Sequence, residues 1–196
     1  TREEISDLLT FDDRRAWASV IVNWGLIFAS MAMVARWPNP LTIVVALFVI
    51  GGRQLGMSIL MHEAAHRLLF RNRSFNDFVG RWLIGYPAFT NIDAYRRVHM
   101  AHHREEFGPN EPDIALYANY PISRESWQRK LVRDAAGRTG LRLLRDQLRG
   151  ARSEVVVVRN TLFKILAVQG VLIAGAIVTG YWWVYPLFWL LPYITV

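Results

Sequence analysis

The sequence contains no cysteine. Disulfides, thiolate metal sites and cysteine nucleophiles are therefore excluded, and any metal must be held by nitrogen and oxygen. Lysine is scarce, with two residues against twenty-one arginines, a bias of GC-rich bacterial genomes. Formal charge is missing from two long stretches, the twenty residues 16–35 and the thirty-two residues 165–196. Internal repeats, low-complexity segments and Rossmann, flavin or haem motifs are absent as well.

What is present is apolar. Hydrophobic residues make up 53% of the 196-residue chain, eight of them tryptophan, and the mean hydropathy is +0.16. A helix crossing a bilayer needs about 20 apolar residues. The sequence predicts spans at 16–35, 41–60 and 161–181, and the start of a fourth at 187–196. The first lies too far in, and lacks a small-residue cleavage site, to be a signal peptide. No acidic residue falls in any of these spans. The expected fold is an all-α integral membrane protein built of helical transmembrane hairpins. A single domain over 1–196 is expected, with no Met at its start and an apolar run at its end. That pattern reads as a protein incomplete at the C-terminus.

The net charge of +7 is concentrated. Residues 61–164 carry eighteen basic and eleven acidic side chains, and those outside cancel. A basic excess in the long loop between spans follows the positive-inside rule and suits anionic headgroups. No nucleic-acid-binding signature accompanies it, so nucleic acid is not an expected partner. Three arginines among the first fifteen residues put the N-terminus on the same, cytoplasmic, side. Residues 61–160 are read as a cytoplasmic helical metal-binding region. Within it, 78–90 is apolar but too short to span, an interfacial or re-entrant segment, and 122–154 reads as amphipathic helix. Arg53 interrupts the second span, either snorkelling to the interface or as a buried charge beside a site. Residues 181–186, YWWVYP, form an expected aromatic belt at the opposite face.

All five histidines fall in two five-residue windows, HEAAH at 62–66 and HMAHH at 99–103. On helices, His62 and His66 share a face, and His99 shares one with His102 and His103. Both windows belong to one membrane face, since no full span separates them. HEAAH alone fits the HExxH zinc site of a metalloprotease, with Glu63 as general base. It also fits two imidazoles serving another metal, with Glu63 a bystander. Five imidazoles exceed the three ligands of a catalytic zinc. Either some are idle or more than one metal is bound, and imidazole suits iron as well as zinc.

HEAAH followed by HMAHH, with YRRVHMAHH and GPNEPD around the second, resembles the membrane fatty acid desaturase/hydroxylase family. That family has HxxxH and HxxHH boxes and a third box after a further hairpin. The resemblance implies a non-haem di-iron oxidoreductase that uses O2 and external electrons on a fatty acyl or lipid chain. It implies that His62, His66, His99, His102 and His103 are iron ligands, with no catalytic residue beyond them. A ferredoxin, rubredoxin or cytochrome b5-type donor, and a bacterial cytoplasmic membrane, are implied with it. Two other readings stay open: an intramembrane zinc protease, which would need a third acidic ligand, and an inactive truncated membrane protein.

Overall fold

Asp12 starts the first long helix, α1 (Asp13–Arg36), by accepting the backbone N–H groups of Arg14 and Arg15. Those donors would otherwise lack partners at a helix N-terminus. The inward residues of α1 are Ala16, Val20, Asn23, Ile27, Ser30 and Val34, a stripe at helical spacing. Ile21, Val22 and Phe28 point outward and are exposed, as on a lipid-facing surface. Asn39 closes the turn. Its side chain accepts from Leu41 and Thr42, and its own N–H donates to Thr42 Oγ1. Pro40 at the first helical position loses no hydrogen bond. Helix α2 (Pro40–Ala65) then folds back along α1.

This computed structural model describes residues 10–195, and among them there is no strand. The start of the polar N-terminal segment and Val196 lie outside the described residues. Three helices are long and apolar enough to cross a membrane, α1, α2 and the later Val156–Val178. The chain is an all-α membrane protein. Helix α2 runs past the expected end at residue 60 to include His62 in its last turn, and His66 caps it. The side chain of Arg53 extends toward the C-terminal end of α2, its Cζ 4.0 Å from where a Gly56 Cβ would stand.

The short helix α3 (Arg73–Val79) passes into a π-helical turn, Gly80–Gly85. The expectation was an interfacial or re-entrant segment. The structure wedges it among the long helices, with Val79, Ile84, Tyr86 and Phe89 buried. Trp24 Nε1 donates to Leu83 O, and Gln169 Nε2 donates to Tyr86 O and Pro87 O. A Cβ on Gly80 would stand 2.9 Å from that of Ala64, so glycine permits this close approach to the end of α2.

Helices α4 (Ile92–Glu105) and α5 (Ile114–Tyr117) follow. The expected amphipathic stretch divides into α6 (Arg124–Ala135) and α7 (Arg138–Leu148), because Gly137 adopts a left-handed φ of 71°. Helix α8 (Val156–Val178) begins before the expected residue 161. The charge at Arg159 hid its first turn from a hydropathy reading, although a long side chain can reach an interface from there. It stops at Thr179, and Gly180, at φ 79°, reverses the chain. A second π-helical turn, Tyr185–Leu190, leads into α9 (Leu191–Thr195), where the fourth span was expected. Trp189 is buried, stacked on Trp24 at 5.6 Å, and its carbonyl accepts from Gln54 Nε2.

Helices α7 and α9 touch through Gly140, whose Cβ would collide with the backbone of Ile194. Gly140→Ala should therefore push α9 away at a cost of about 1–3 kcal/mol, lowering the thermal midpoint in detergent. Gly25→Ala, where the added Cβ meets nothing within 4 Å, should leave that midpoint unchanged or raise it.

Candidate metal centre

The last turn of α2 presents His62 and His66 one turn apart, their rings 4.6 Å centre to centre. Asn91 caps α4 by accepting from Asp93 and Ala94, and α4 presents His99 and His103 at the same 4.6 Å spacing. The two helix faces meet. His66 Nε2 lies 2.9 Å from His99 Nε2, which lies 3.1 Å from His103 Nε2. Donor atoms of His62, His66, His99 and His103 all fall within 4.8 Å of one another. Two nitrogens each about 2.1 Å from a shared ion stand roughly 3 Å apart at a right angle, so this spacing suits metal ligands. Tyr95 stacks flat on His99 at 5.1 Å and supports the ring.

His102 points elsewhere. Its Nδ1 lies 2.8 Å from Glu111 Oε1 and 3.7 Å from Asp113 Oδ2, forming a second group of possible ligands with those carboxylates. The second group adjoins the first, with the His102 ring 5.4 Å from that of His103. The five expected ligands thus divide into four converging rings and one neighbour. Glu63, undecided from sequence, lies 3.1 Å from His62 Nδ1.

Burial, then the neighbouring histidines, pushes the pKa of His66 and of His99 below the ordinary imidazole value of 6.5. That direction favours the neutral ring, the state that offers a lone pair to a metal. The hydrogen bond to Glu111 pushes His102 the other way, above 6.5.

What brings the two helices together is a polar clamp beneath the rings. Arg96, one turn before His99, donates from Nε to Ala65 O at 2.8 Å and from Nη2 to Ala64 O at 2.9 Å. The same Nη2 donates to Asp77 Oδ1 at 2.6 Å. Asp77 also pairs with Arg67 at 3.4 Å, and Arg81 grips Asp93 through two 2.9 Å bonds. Buried Asn76 donates to Ala64 O and accepts from Leu69 and Phe70. Sequence reasoning missed Asn76, Asp77, Arg96 and Glu111. Arg96 and Glu111 lie in the quoted YRRVHMAHH and GPNEPD; nothing local marks Asn76 or Asp77.

Burial opposes ionisation of Asp77, but the hydrogen bond and charge of Arg96 outweigh it and hold the carboxyl below 3.8. Its stabilising contribution is therefore complete above pH 3.8 and disappears as pH falls through the lowered value. Asp77→Asn leaves the Arg96 charge with only the longer 3.6 Å contact to Asp93 and should cost about 3 kcal/mol at neutral pH. Denaturant midpoints measured across pH should show that gap closing only in strong acid, below about pH 4.

Comparison with known proteins agrees with this geometry. The family model described as fatty acid desaturase matches residues 35–196. The chain is 30% identical over 180 residues to dihydrorhizobitoxine desaturase of Bradyrhizobium elkanii, covering 83% of this chain and 49% of the relative. It spans about half the length of the curated relative it matches. No solved structure matches. With two histidine boxes meeting at the end of a transmembrane hairpin, and with that match over most of its length, the chain belongs to the fatty acid desaturase family.

Proposed function

We propose that this protein is a membrane-bound non-haem di-iron oxidoreductase that desaturates or hydroxylates a fatty acyl or lipid chain. The observation that carries the reading is the convergence of His62, His66, His99 and His103 from two separate boxes, with His102 alongside. Neutral imidazoles at this spacing fit iron, and the family match points to two ions. Bound there, iron supplies the O2 chemistry, while the protein positions the substrate and excludes water.

The balance is simple. Desaturation takes two hydrogens from the chain, and with O2, two external electrons and two protons it gives an alkene and two waters. Hydroxylation with the same inputs gives an alcohol and one water. A saturated chain offers no polar handle, so it must be held by apolar contact entering from the membrane. The outward faces of α1 and α2 carry Ile21, Phe28, Phe48 and Ile59, all exposed, and suit that environment. Electrons come from a ferredoxin, rubredoxin or cytochrome b5-type donor, whose acidic surface would meet the basic region 61–164. That region and the N-terminus face the cytoplasm of a bacterial cell in this reading.

The zinc-protease alternative asks for a third, acidic ligand near His62 and His66. Among the described residues, the group around them is completed by His99 and His103 instead.

Purified full-length protein should contain about two irons per chain, the stoichiometry that imidazole-rich sites and the family imply. His99→Ala, at the centre of the cluster, should abolish iron retention and lipid oxidation together. One zinc per chain with no iron, or lipid oxidation that persists in His99→Ala, would overturn the proposal.

A further inference from the structure

Glu111 is an unusual residue to find buried. It is 3% exposed, and isolated carboxylates are expensive to remove from water. Its Oε1 accepts the N–H of Asp113 at 3.0 Å and lies 2.8 Å from His102 Nδ1. Its Oε2 is buried and makes no close hydrogen bond, while the Tyr117 hydroxyl and the Phe107 N–H also bear on the carboxylate. The carboxylate comes from the loop after α4, anchored where Gly108 N–H donates to Glu105 O at 2.7 Å. A Cβ on Gly108 would stand 2.8 Å from that same oxygen, so the tight loop aiming Glu111 at His102 requires glycine.

An ionised carboxylate only accepts hydrogen bonds. The proton between the two groups therefore sits on His102 Nδ1, and in the neutral ring the lone pair sits on Nε2. No described residue hydrogen-bonds that Nε2. This is the arrangement in which a carboxylate behind a histidine fixes its tautomer and ring orientation for a metal. Asp113, at 3.7 Å and partly exposed, lies beyond hydrogen-bond reach and contributes charge only.

We infer that Glu111 is the positioning residue for His102. By holding Nδ1–H it presents Nε2 to the metal centre, so that a ring pointing away from the other four-histidine group still serves the adjoining position. The inference rests on the metal-centre reading above, and the test separates the two.

Two variants of the full-length apo protein carry the test. Glu111→Gln keeps an oxygen that the Asp113 N–H can hold in place. Glu111→Met keeps the side-chain length and removes the acceptor. The first readout is the 15N spectrum of the histidine rings at a pH high enough that His102, whose pKa Glu111 raises, is neutral, with His102 assigned by its absence in His102→Ala. Wild type and Glu111→Gln should show His102 protonated at Nδ1, whereas Glu111→Met should shift it toward Nε2–H. The second readout is Co2+ titration. Glu111→Met should bind about 10–100-fold more weakly than wild type, and Glu111→Gln less than about tenfold more weakly.

An unchanged tautomer and affinity in Glu111→Met would overturn the inference. So would Glu111→Gln losing Co2+ as completely as Glu111→Met while keeping its tautomer, because Glu111 would then be a ligand itself. If Glu111→Met does not fold, Glu111→Ala, which also removes the acceptor, takes its place with the same two readouts and the same overturning result. A wild-type protein that takes up neither Co2+ nor iron would sink the metal-centre reading, and the tautomer would still report whether Glu111 controls His102.

Discussion

The guanidinium of Arg96 holds the site together. Every α-helix ends in carbonyls without intrahelical partners, and α2 ends inside the protein, where water cannot serve them. Arg96 reaches across from α4 and donates to the carbonyls of Ala64 and Ala65. A cation at a helix C-terminus also meets the negative end of the helix dipole favourably. The planar fork matters here, because one side chain must satisfy two carbonyls and a carboxylate in fixed directions, which a lysine cannot do. Since Ala64 and Ala65 sit between His62 and His66, and Arg96 sits one turn before His99, the same bonds that cap α2 set the spacing of the rings. Asp77 balances the charge that this arrangement buries.

The membrane spans supply what the clamp cannot, a fixed depth. The hairpin of α1 and α2 is apolar on its outer face and carries the first histidine box at one end, where α4 brings the second. Its few internal polar groups are placed to join elements. Gln54 ties α2 to the carbonyl of Trp189, and Gln169 ties α8 to the carbonyls of Tyr86 and Pro87. The two π-helical turns, at 80–85 and 185–190, free backbone carbonyls for such contacts: Leu83 O and Trp189 O each accept from a side chain on another helix. The wedge between Arg73 and Thr90 can then pack under the hairpin, with Asn76 and Asp77 at its inner end.

The division between what could be read and what could not follows from range. The spans, the hairpin turn and the histidine pairs depend on periodicity and on neighbours three or four residues apart, so they were legible. Their ends were less so: α2 continues through His62 although charge appears there, and α8 begins before its charged turns are over. The convergence of His66 with His99 could be expected only as a shared membrane face, since thirty-three residues separate them. The clamp was out of reach. Asp77 meets Arg96 across nineteen positions, and no local pattern distinguishes it from an exposed aspartate. The outward turn of His102 was hidden for a related reason. Helical spacing places it near His99, but its Nδ1 lies 2.8 Å from Glu111 in the following loop, a contact across nine positions that no local pattern marks.

Glu63 and Glu111 each stand against the Nδ1 of a histidine, which bears on the HExxH ambiguity. A glutamate next to a metal-binding histidine can polarise a water molecule, or it can hold the histidine. The distinction lies in what its oxygens touch. Glu63 Oε1 lies 3.1 Å from the Nδ1 of its own neighbour, His62, and Glu111 stands at 2.8 Å from the Nδ1 of His102. Each box therefore contributes one histidine backed by a carboxylate. Three others, His66, His99 and His103, approach one another through Nε2. A zinc hydrolase needs its glutamate free in front of the metal, whereas a cluster of neutral imidazoles gains more from carboxylates behind it, where they raise ligand basicity without crowding the open side. The contacts of Glu63 and Glu111 suit the second arrangement under the proposed metal centre, with Glu63 partly exposed at a helix end and Glu111 buried in the loop after its histidine.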